Sequence, residues 1–446
     1  MTEQTTLEAQ ALSREAVELL SARLDEPAWM RLRRDDAWRF YLDTPFPNSN
    51  TDEPWRRTDP RSIIRRLERL THAPEATLID DIESLPQRIR DVLRDTDKRG
   101  GLLVRRDNGV VYSEFDEEYA EQGVVFMDLN SAVRDHPHLV RKYLFQAGSP
   151  EEGKFEALHA AFMNGGAFVY VPKGVVVERA LQVVHWVDST NVFLFPHTLI
   201  VLEEGAQATV IEEYISEGTE GTVFVDSAVE LQVGPEATLV YLAIQHWGEN
   251  VTHFNFSRSI SERTSNLNWT VGQFGGKLTR FQTHADLAGS GATALLNGIF
   301  FPTEGQQHGN YTLQHHKATY CTSDLLYKGA LLGKARSVYE GGIKVAKGAQ
   351  QTDAYQANRN LMLSKNAHAD SIPQLEIEAH EVRCTHGSTT SQMDKEELFY
   401  LQSRGIRKDP ATKLIVEGFY VPVLDRIPLR EVRDRLRTAI QNKMAF

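Results

Sequence analysis

TVFVDSAVELQVGPEATLVYLAIQ, residues Thr222 to Gln245, is the stretch that decides the fold. Two runs rich in Val, Leu, Phe and Tyr flank a short Gly-Pro-Glu-Ala corner. Each run has the length and composition of a strand. FVYVP at Phe168, TLIVLEEG at Thr198, TVIEEYI at Thr209 and LLNGIFF at Leu295 read the same way. No helix-length periodic segment separates these runs between Phe168 and Ile377, so a sheet built from βαβ units is not expected.

The corners repeat. EEGAQATVIEEY around Gly205 resembles VGPEATLVYLAI around Gly234, SGATALLNGIF around Gly291 and KGAQQTDAYQA around Gly348. The glycine intervals are 29, 57 and 57, so the longer ones read as doubled copies of the first. RTSNLNW at Arg263 and CTSDLLY at Cys321 form a second set 58 apart. Short strands repeating at this length predict a β-solenoid, a parallel β-helix in which each coil is one rung. A β-sandwich would need hairpin turns such as Asn-Gly. Within the strand-rich region Asn297-Gly298 is the only such pair; Asn108-Gly109 and Asn164-Gly165 precede it.

Helical patterns flank the strands. Leu12, Ala16, Leu19, Leu20 and Leu24 recur at helical spacing, with Glu8, Glu15 and Glu18 on other faces. Trp55 among Arg56, Arg57 and Arg61 reads as an amphipathic helix with the ring buried, because acids are interleaved throughout. After Ser391, Asp394 with Glu397 makes a capping signature and Gly405 is placed to end the helix. Asp409-Pro410 starts a second helix and Pro428 a third. On the third, Leu429, Val432, Leu436 and Ile440 form one apolar stripe that serves either as core or as a docking face for a partner. The expected units are a mainly helical region 1–160, a β-solenoid core 161–392 and a helical region 393–446.

Composition narrows the function. The 446 residues carry 61 acidic and 49 basic side chains, a formal charge of −12, which argues against nucleic acid as the main partner. Two cysteines, Cys321 and Cys384, make no disulfide framework and fit a reducing, cytoplasmic setting. The first residues lack the pattern of a secretory signal, and no apolar run is long enough to span a bilayer.

IPQLEIEAHEVRCTHGSTTSQMDKEELFYLQSRGI, from Ile372 to Ile406, carries the candidate chemistry. Cys384 and His386 stand at i and i+2, so on a strand they share a face and present a thiolate beside an imidazole. His380 has the same parity if the strand is unbroken, and Arg383 is placed to help hold a thiolate. Leu375 and Ile377 have the opposite parity; if they face the core, Cys384 and His386 face outward. A cluster or structural zinc takes about four protein ligands, so two point to half a site completed at an interface.

Other chemistries fit less well. GQFGGKLT at Gly272 has the wrong spacing for a P-loop, and Leu278 stands where a hydroxyl is needed. There is no CxxC, HExxH or GxSxG. Asp324, Asp353, Asp370, Glu376 and Glu378 would be the carboxylates of a carbohydrate-active solenoid, or simply a solvated face. His308 and the pair His315-His316 are poor ligands, since adjacent residues of a strand point to opposite faces.

TDAYQANRNLMLS at Thr352, ADSIPQLEI at Ala369, VRCTHGSTTSQMD at Val382 and EELFYLQSRGI at Glu396 resemble the SufB/SufD family of iron–sulfur cluster assembly proteins. VEGFYVPVLDRIP at Val416, EPAWMRLRR at Glu26 and DEPWRRTD at Asp52 are similar to the same family, so the likeness spans nearly the whole chain. The Cys-x-His-Gly segment resembles its SufD branch. The resemblance implies a right-handed parallel β-helix between helical end regions, and a scaffold rather than an enzyme. It implies pairing with a SufB-like paralogue through the β-helix and binding of a SufC-like ATPase through the C-terminal helices, where Leu429, Val432, Leu436 and Ile440 are the candidate contacts. Sulfur would arrive indirectly, as persulfide from a donor system. A transient iron–sulfur cluster would form at the paralogue junction, with His386 and Cys384 as this chain's metal-site residues and no stably bound cofactor on the isolated chain. Cys321 inherits no role and reads as a small core or corner residue. Binding of a reduced flavin to the complex stays open, as does a homodimer formed without the paralogue.

Overall fold

The computed structural model describes residues 11–216 and 220–444; Glu8 lies outside them. The chain winds into a β-solenoid of about eight turns with helices at both ends. Successive strands alternate between two sheets: Val223–Val233 lies in the first, Thr238–His246 in the second, and Val251–Ser261 returns to the first. From Gly166 onward the solenoid strands pair in parallel with the strand one coil away. Val223 faces Val251, Thr252 faces Leu278 and Arg336 faces His368, so a coil takes between 26 and 32 residues. The 29-residue glycine interval is therefore one coil, and those of 57 and 58 are two.

One corner recurs coil after coil in the left-handed backbone region. Gly205 (φ 69°), Glu236 (60°), Thr264 (57°), Gly291 (76°), Tyr320 (58°) and Gln351 (61°) form a column. Each donates its N–H to a corner carbonyl of the next coil, from Gly205 to Pro235 at 2.8 Å up to Gln351 to Glu381 at 2.6 Å. A non-glycine residue there costs about 1–2 kcal/mol, which the stacked hydrogen bonds offset. Glycine is thus not obligatory at this corner, and the sequence repeat is correspondingly faint.

The earlier strands, such as Ala180–Val187, His197–Leu202 and Val223–Val233, are buried on both faces. Inside, Leu231, Tyr241, Trp269, Phe281, Tyr327 and Tyr339 belong to one continuous core that also contains Cys321, as expected for a small corner residue. Outside, α1 (Arg14–Arg23), α2 (Ala28–Asp43) and α3 (Lys154–Phe162) pack Leu20, Trp38, Tyr41 and Phe162 on Phe193, Phe224 and Phe254 of the first sheet. The second sheet carries α5 (Lys408–Leu424) and α6 (Arg430–Lys443). Burial on two faces explains the near-continuous apolar runs. Arg34 fastens the N-terminal helices, donating to both oxygens of Glu26 and to the carbonyls of Ala161 and Met163.

Three expectations change. The region before residue 161 is not only helical: Arg99–Arg106 and Gly109–Phe115 form a hairpin at Asp107-Asn108, and Arg99–Arg106 pairs in parallel with Ala180–Val187. The second sheet therefore begins near residue 99, and the early Asn-Gly pair marks a real hairpin that closes this end of the solenoid. Helix α5 starts at Lys408, placing Pro410 in its first turn rather than at its first residue. The stripe on α6 is not free for a partner. Val432, Leu436 and Ile440 are at most 1 % exposed, and with Leu429 they pack on Ile211, Leu242, Ile244 and Phe301 of the second sheet. The helix needs this intramolecular face because an isolated helix of its length is marginal in water. Leu436→Ala is expected to cost about 2–5 kcal/mol in urea unfolding, whereas Leu414→Ala on the exposed side of α5 should change stability by less than about 0.5 kcal/mol.

Candidate functional site

The solenoid ends abruptly. Among the described residues, strand His368–Ile377 pairs only with Arg336–Val345, and Val382–Gln392 pairs only with Thr352–Met362. The chain then leaves through α4 (Lys395–Ser403), whose first turn Asp394 caps by accepting from the Glu396 N–H at 2.7 Å. Both last strands thus present an outer edge of backbone donors and acceptors with no strand beyond.

Side chains of this last coil point where their partners point one coil below. Leu375 faces Ile343 and Ile377 faces Val345, both buried, yet Leu375 and Ile377 are 41 % and 40 % exposed. Nothing covers them. Cys384 faces Ala354 and His386 faces Gln356, both buried. Cys384 packs against the cluster of Ile343, Val345, Ala349, Ala354 and Ala379 and is half-buried, while His386 is exposed. All four residues therefore face the interior side of a coil that lacks a roof, which corrects the outward orientation expected for Cys384 and His386. The parity count fails because the corner Glu378–Glu381 separates two strands belonging to different sheets.

That corner also removes two expected helpers. His380 lies in it, exposed and off the strand, with its N–H donating to Gln350 Oε1 at 3.3 Å. Arg383 stands on the opposite side of its strand from Cys384. Burial, and then the charge of Asp353, push the Cys384 thiol above its ordinary range rather than below it. A short polar chain crosses between the sheets beside the pair: Ser388 Oγ donates to Ser371 Oγ, which donates to Asn358 Oδ1, each at 2.8 Å. Sequence reasoning missed this chain, since single serines on different strands carry no spacing signal.

Cys384 and His386 sit about 7 Å apart along the strand, close enough to share one ion or cluster. Among the described residues no group of three or more His, Cys, Asp or Glu is arranged to hold a metal. Cys384 and His386 are thus two side chains of differing softness, and among the described residues no third group joins them. The other candidates disperse. Asp324 pairs with Arg426 at 3.0 Å, Asp370 with Arg336 and His368, and Glu376 with Lys344, so these acids form a surface face instead of a catalytic group. His308 and His316 are buried and bonded to Gly275 O and Ser323 Oγ, while His315 faces the other way onto Asp286. The Gly272 stretch ends a strand and turns into the next, with no helix following to bind phosphate.

A second exposed feature adjoins the coil end. Helix α4 has no buried residue. Phe399 is 71 % and Tyr400 57 % exposed, with Leu414 and Val421 of α5 also showing apolar surface. The adjacent aromatics in EELFYLQ were the available sequence signal for this patch.

Residues 185–419 match the model described as SUF system FeS cluster assembly, SufBD core domain, and residues 99–183 match that of the SufBD protein N-terminal region. The second match starts where the sheet starts. The chain is 30 % identical over 439 residues to the iron–sulfur cluster assembly protein SufD of Bacillus subtilis, covering 97 % of this chain and 98 % of that one. It is 28 % identical to an iron–sulfur cluster assembly SufBD family protein of Staphylococcus epidermidis, covering 94 % and 90 %. A SufBD family protein of Staphylococcus aureus is 30 % identical over 329 residues, covering 74 % and 71 %.

The two thiols should separate cleanly in alkylation. Iodoacetamide on the native protein should label Cys384 slowly at pH 8, faster as pH rises through and beyond the ordinary thiol range. Cys321, buried and likewise pushed up by burial, should label only after denaturation. Peptide mass spectrometry decides this, and native labelling of Cys384 as fast as a free thiol would contradict the environment described.

Proposed function

The chain belongs to the SufBD family of iron–sulfur cluster assembly proteins, and we propose that it is the SufD-type scaffold subunit, holding one half of the site where a nascent cluster is built. The observation that carries this reading is the roofless last coil, with Cys384 and His386 at its face and two unpaired strand edges around them. A SufB-like paralogue would add its strands to these edges, cover Leu375 and Ile377, and bring the remaining ligands. Iron and persulfide-derived sulfide are then substrates and the cluster is the product passed on. His386 would supply a neutral imidazole to iron, and Cys384, once its proton leaves on metal binding, a thiolate. The chain acts as a scaffold rather than as a catalyst.

A SufC-like ATPase would dock on the exposed patch of α4 and α5, centred on Phe399 and Tyr400, and not on the stripe of α6. Because α4 follows the last strand directly, force applied to α4 reaches the coil end through Gln392–Asp394. ATP-driven pairing of two such ATPases would then bias the junction between a closed and an accessible arrangement. A homodimer is the second reading, favoured by the same edges: two copies would bring two cysteines and two histidines together, enough for one cluster.

Co-expression with the matching paralogue and ATPase, followed by anaerobic purification and reconstitution, tests the site. His386→Ala should leave the complex assembled and strip it of most of its iron, sulfide and visible absorption; full cluster content in that variant would make the subunit architectural. Phe399→Asp should weaken ATPase capture by at least about tenfold, or about 1.4 kcal/mol, with the paralogue still bound. Unchanged capture would move that contact off α4.

A further inference from the structure

Away from the coil end, a cleft of about 770 Å³ opens between α6, the short turn Gln87–Arg90 and the outer face of the second sheet. That volume lies within the range of small-molecule sites, about 300–1,000 Å³. Ile215, Ile244 and Leu436 line its apolar part. The His246 ring lies nearly parallel to Phe274, at 13° with centroids 5.4 Å apart, and Trp247 adjoins them.

Three cations line the same space. Arg88 comes from the N-terminal turn, and Arg435 and Lys443 from α6, where a spacing of eight residues keeps them on one face. Arg435 is neutralised by Glu213 at 2.7 Å and also donates to the carbonyl of Val92. Among the described residues neither Arg88 nor Lys443 has a carboxylate at ion-pair distance. Arg88 donates to the His246 carbonyl at 3.2 Å, and Lys443 Nζ to Gln306 Oε1 at 3.1 Å. Of the acids lining the cleft, Asp434 pairs with Arg437 at 3.1 Å, while Asp91 accepts from the neutral Gln87 amide at 2.7 Å and keeps its charge without pairing to either cation.

The electrostatics agree. Burial first, and then Arg88, Arg435 and Lys443, push His246 down to about 3, so its ring is neutral at physiological pH. Burial pushes Lys443 down to about 8, an effect that the more distant charge of Glu249 only partly opposes. The cleft therefore combines flat aromatic surface with two cations that, among the described residues, have no carboxylate at ion-pair distance. A bare phosphate would leave the aromatic part unused, and a polyanion would meet a chain of charge −12.

We propose that this cleft binds a mononucleotide-class ligand, its planar ring laid against His246 and Phe274 and its phosphate held by Arg88 and Lys443. Stacking of this kind tolerates different bases, so the ring need not be read by hydrogen bonds. The site shares no residue with the coil end or the α4 patch and stands independently of the assembly role.

Isothermal titration of the purified full chain with AMP and with UMP tests the proposal, with adenosine and inorganic phosphate as controls and Arg88→Gln and Lys443→Gln as variants. At least one nucleotide should bind with Kd below about 1 mM. Each variant should weaken it by about tenfold with an unchanged melting temperature, and adenosine and phosphate should each bind far more weakly. Near pH 9 binding should also take up protons, because phosphate beside Lys443 favours the ammonium; titrations in buffers of different ionisation enthalpy read this directly. Failure of both nucleotides to bind, equal binding by both variants, or phosphate competing as well as the nucleotide would each overturn it.

Discussion

Every strand of the solenoid satisfies its backbone through the coils on either side, and the last coil has a neighbour on one side only. This constraint organises the molecule. A solenoid cannot terminate without either a cap or an exposed edge, because unpaired N–H and C=O groups at a buried edge are costly. The two ends take opposite solutions. The first is closed by the antiparallel hairpin of Arg99–Arg106 with Gly109–Phe115 and by Val125–Asp128 against Gly166–Val171. The other is left open, with Leu375 and Ile377 half exposed above buried partners. That open end also carries the half-buried thiol of Cys384, and the proposed pairing with a paralogue would complete it.

Helices pack on both outer faces of the solenoid. Helices α1 to α3 cover the earlier strands of the first sheet with an aromatic layer, and α5 and α6 pack on the second, while Leu278–Leu287, Gln307–His316 and Arg336–Val345 keep half-buried residues on their outer side. Polar anchors fix the C-terminal layer at several depths. Tyr420 Oη donates to Phe300 O at 2.8 Å and accepts from the Ala330 N–H at 2.7 Å, Arg426 pairs with Asp324, and Arg435 with Glu213. Helix α6 is further tied to the N-terminal segment, where Glu431 takes Arg94 and Lys98 at 3.3 Å each. Beside this anchored layer α4 has no buried residue, and it is joined directly to the open coil.

The β-solenoid was legible in the sequence because coil length reappears as the spacing of Gly205, Gly234, Gly291 and Gly348. The repeat was faint for a physical reason: Glu236, Thr264, Tyr320 and Gln351 occupy the left-handed corner as well as glycine does, supported by the corner hydrogen bonds. Cys384 and His386 were legible as a pair because i and i+2 share a face on any strand. Their direction was not, since parity carries no information across a corner that switches sheets. The stripe on α6 was visible but its partner was not, because an amphipathic helix looks the same against its own sheet or another protein. The open coil lay beyond sequence reasoning altogether. Leu375 and Ile377 read as core residues, and only the absence of a further coil leaves them exposed.

The state of Cys384 bears directly on the proposed half-site. Its thiol is pushed up by burial and by Asp353, and Arg383 faces away, so its described surroundings favour the protonated thiol. A ligand in that condition gives up its proton readily only when a metal ion or a partner's cation arrives. Completing the coil would bury the thiol further, raising the cost of a bare thiolate while strengthening its bond to iron in the lower dielectric. His386, two residues further on, carries an imidazole and stands exposed on the same face. Under the proposed reading the exposed imidazole would meet iron first, and the half-buried thiol would become a ligand only as closure and metal arrive together. The two side chains share one strand face and differ in burial, and that difference alone would set the order.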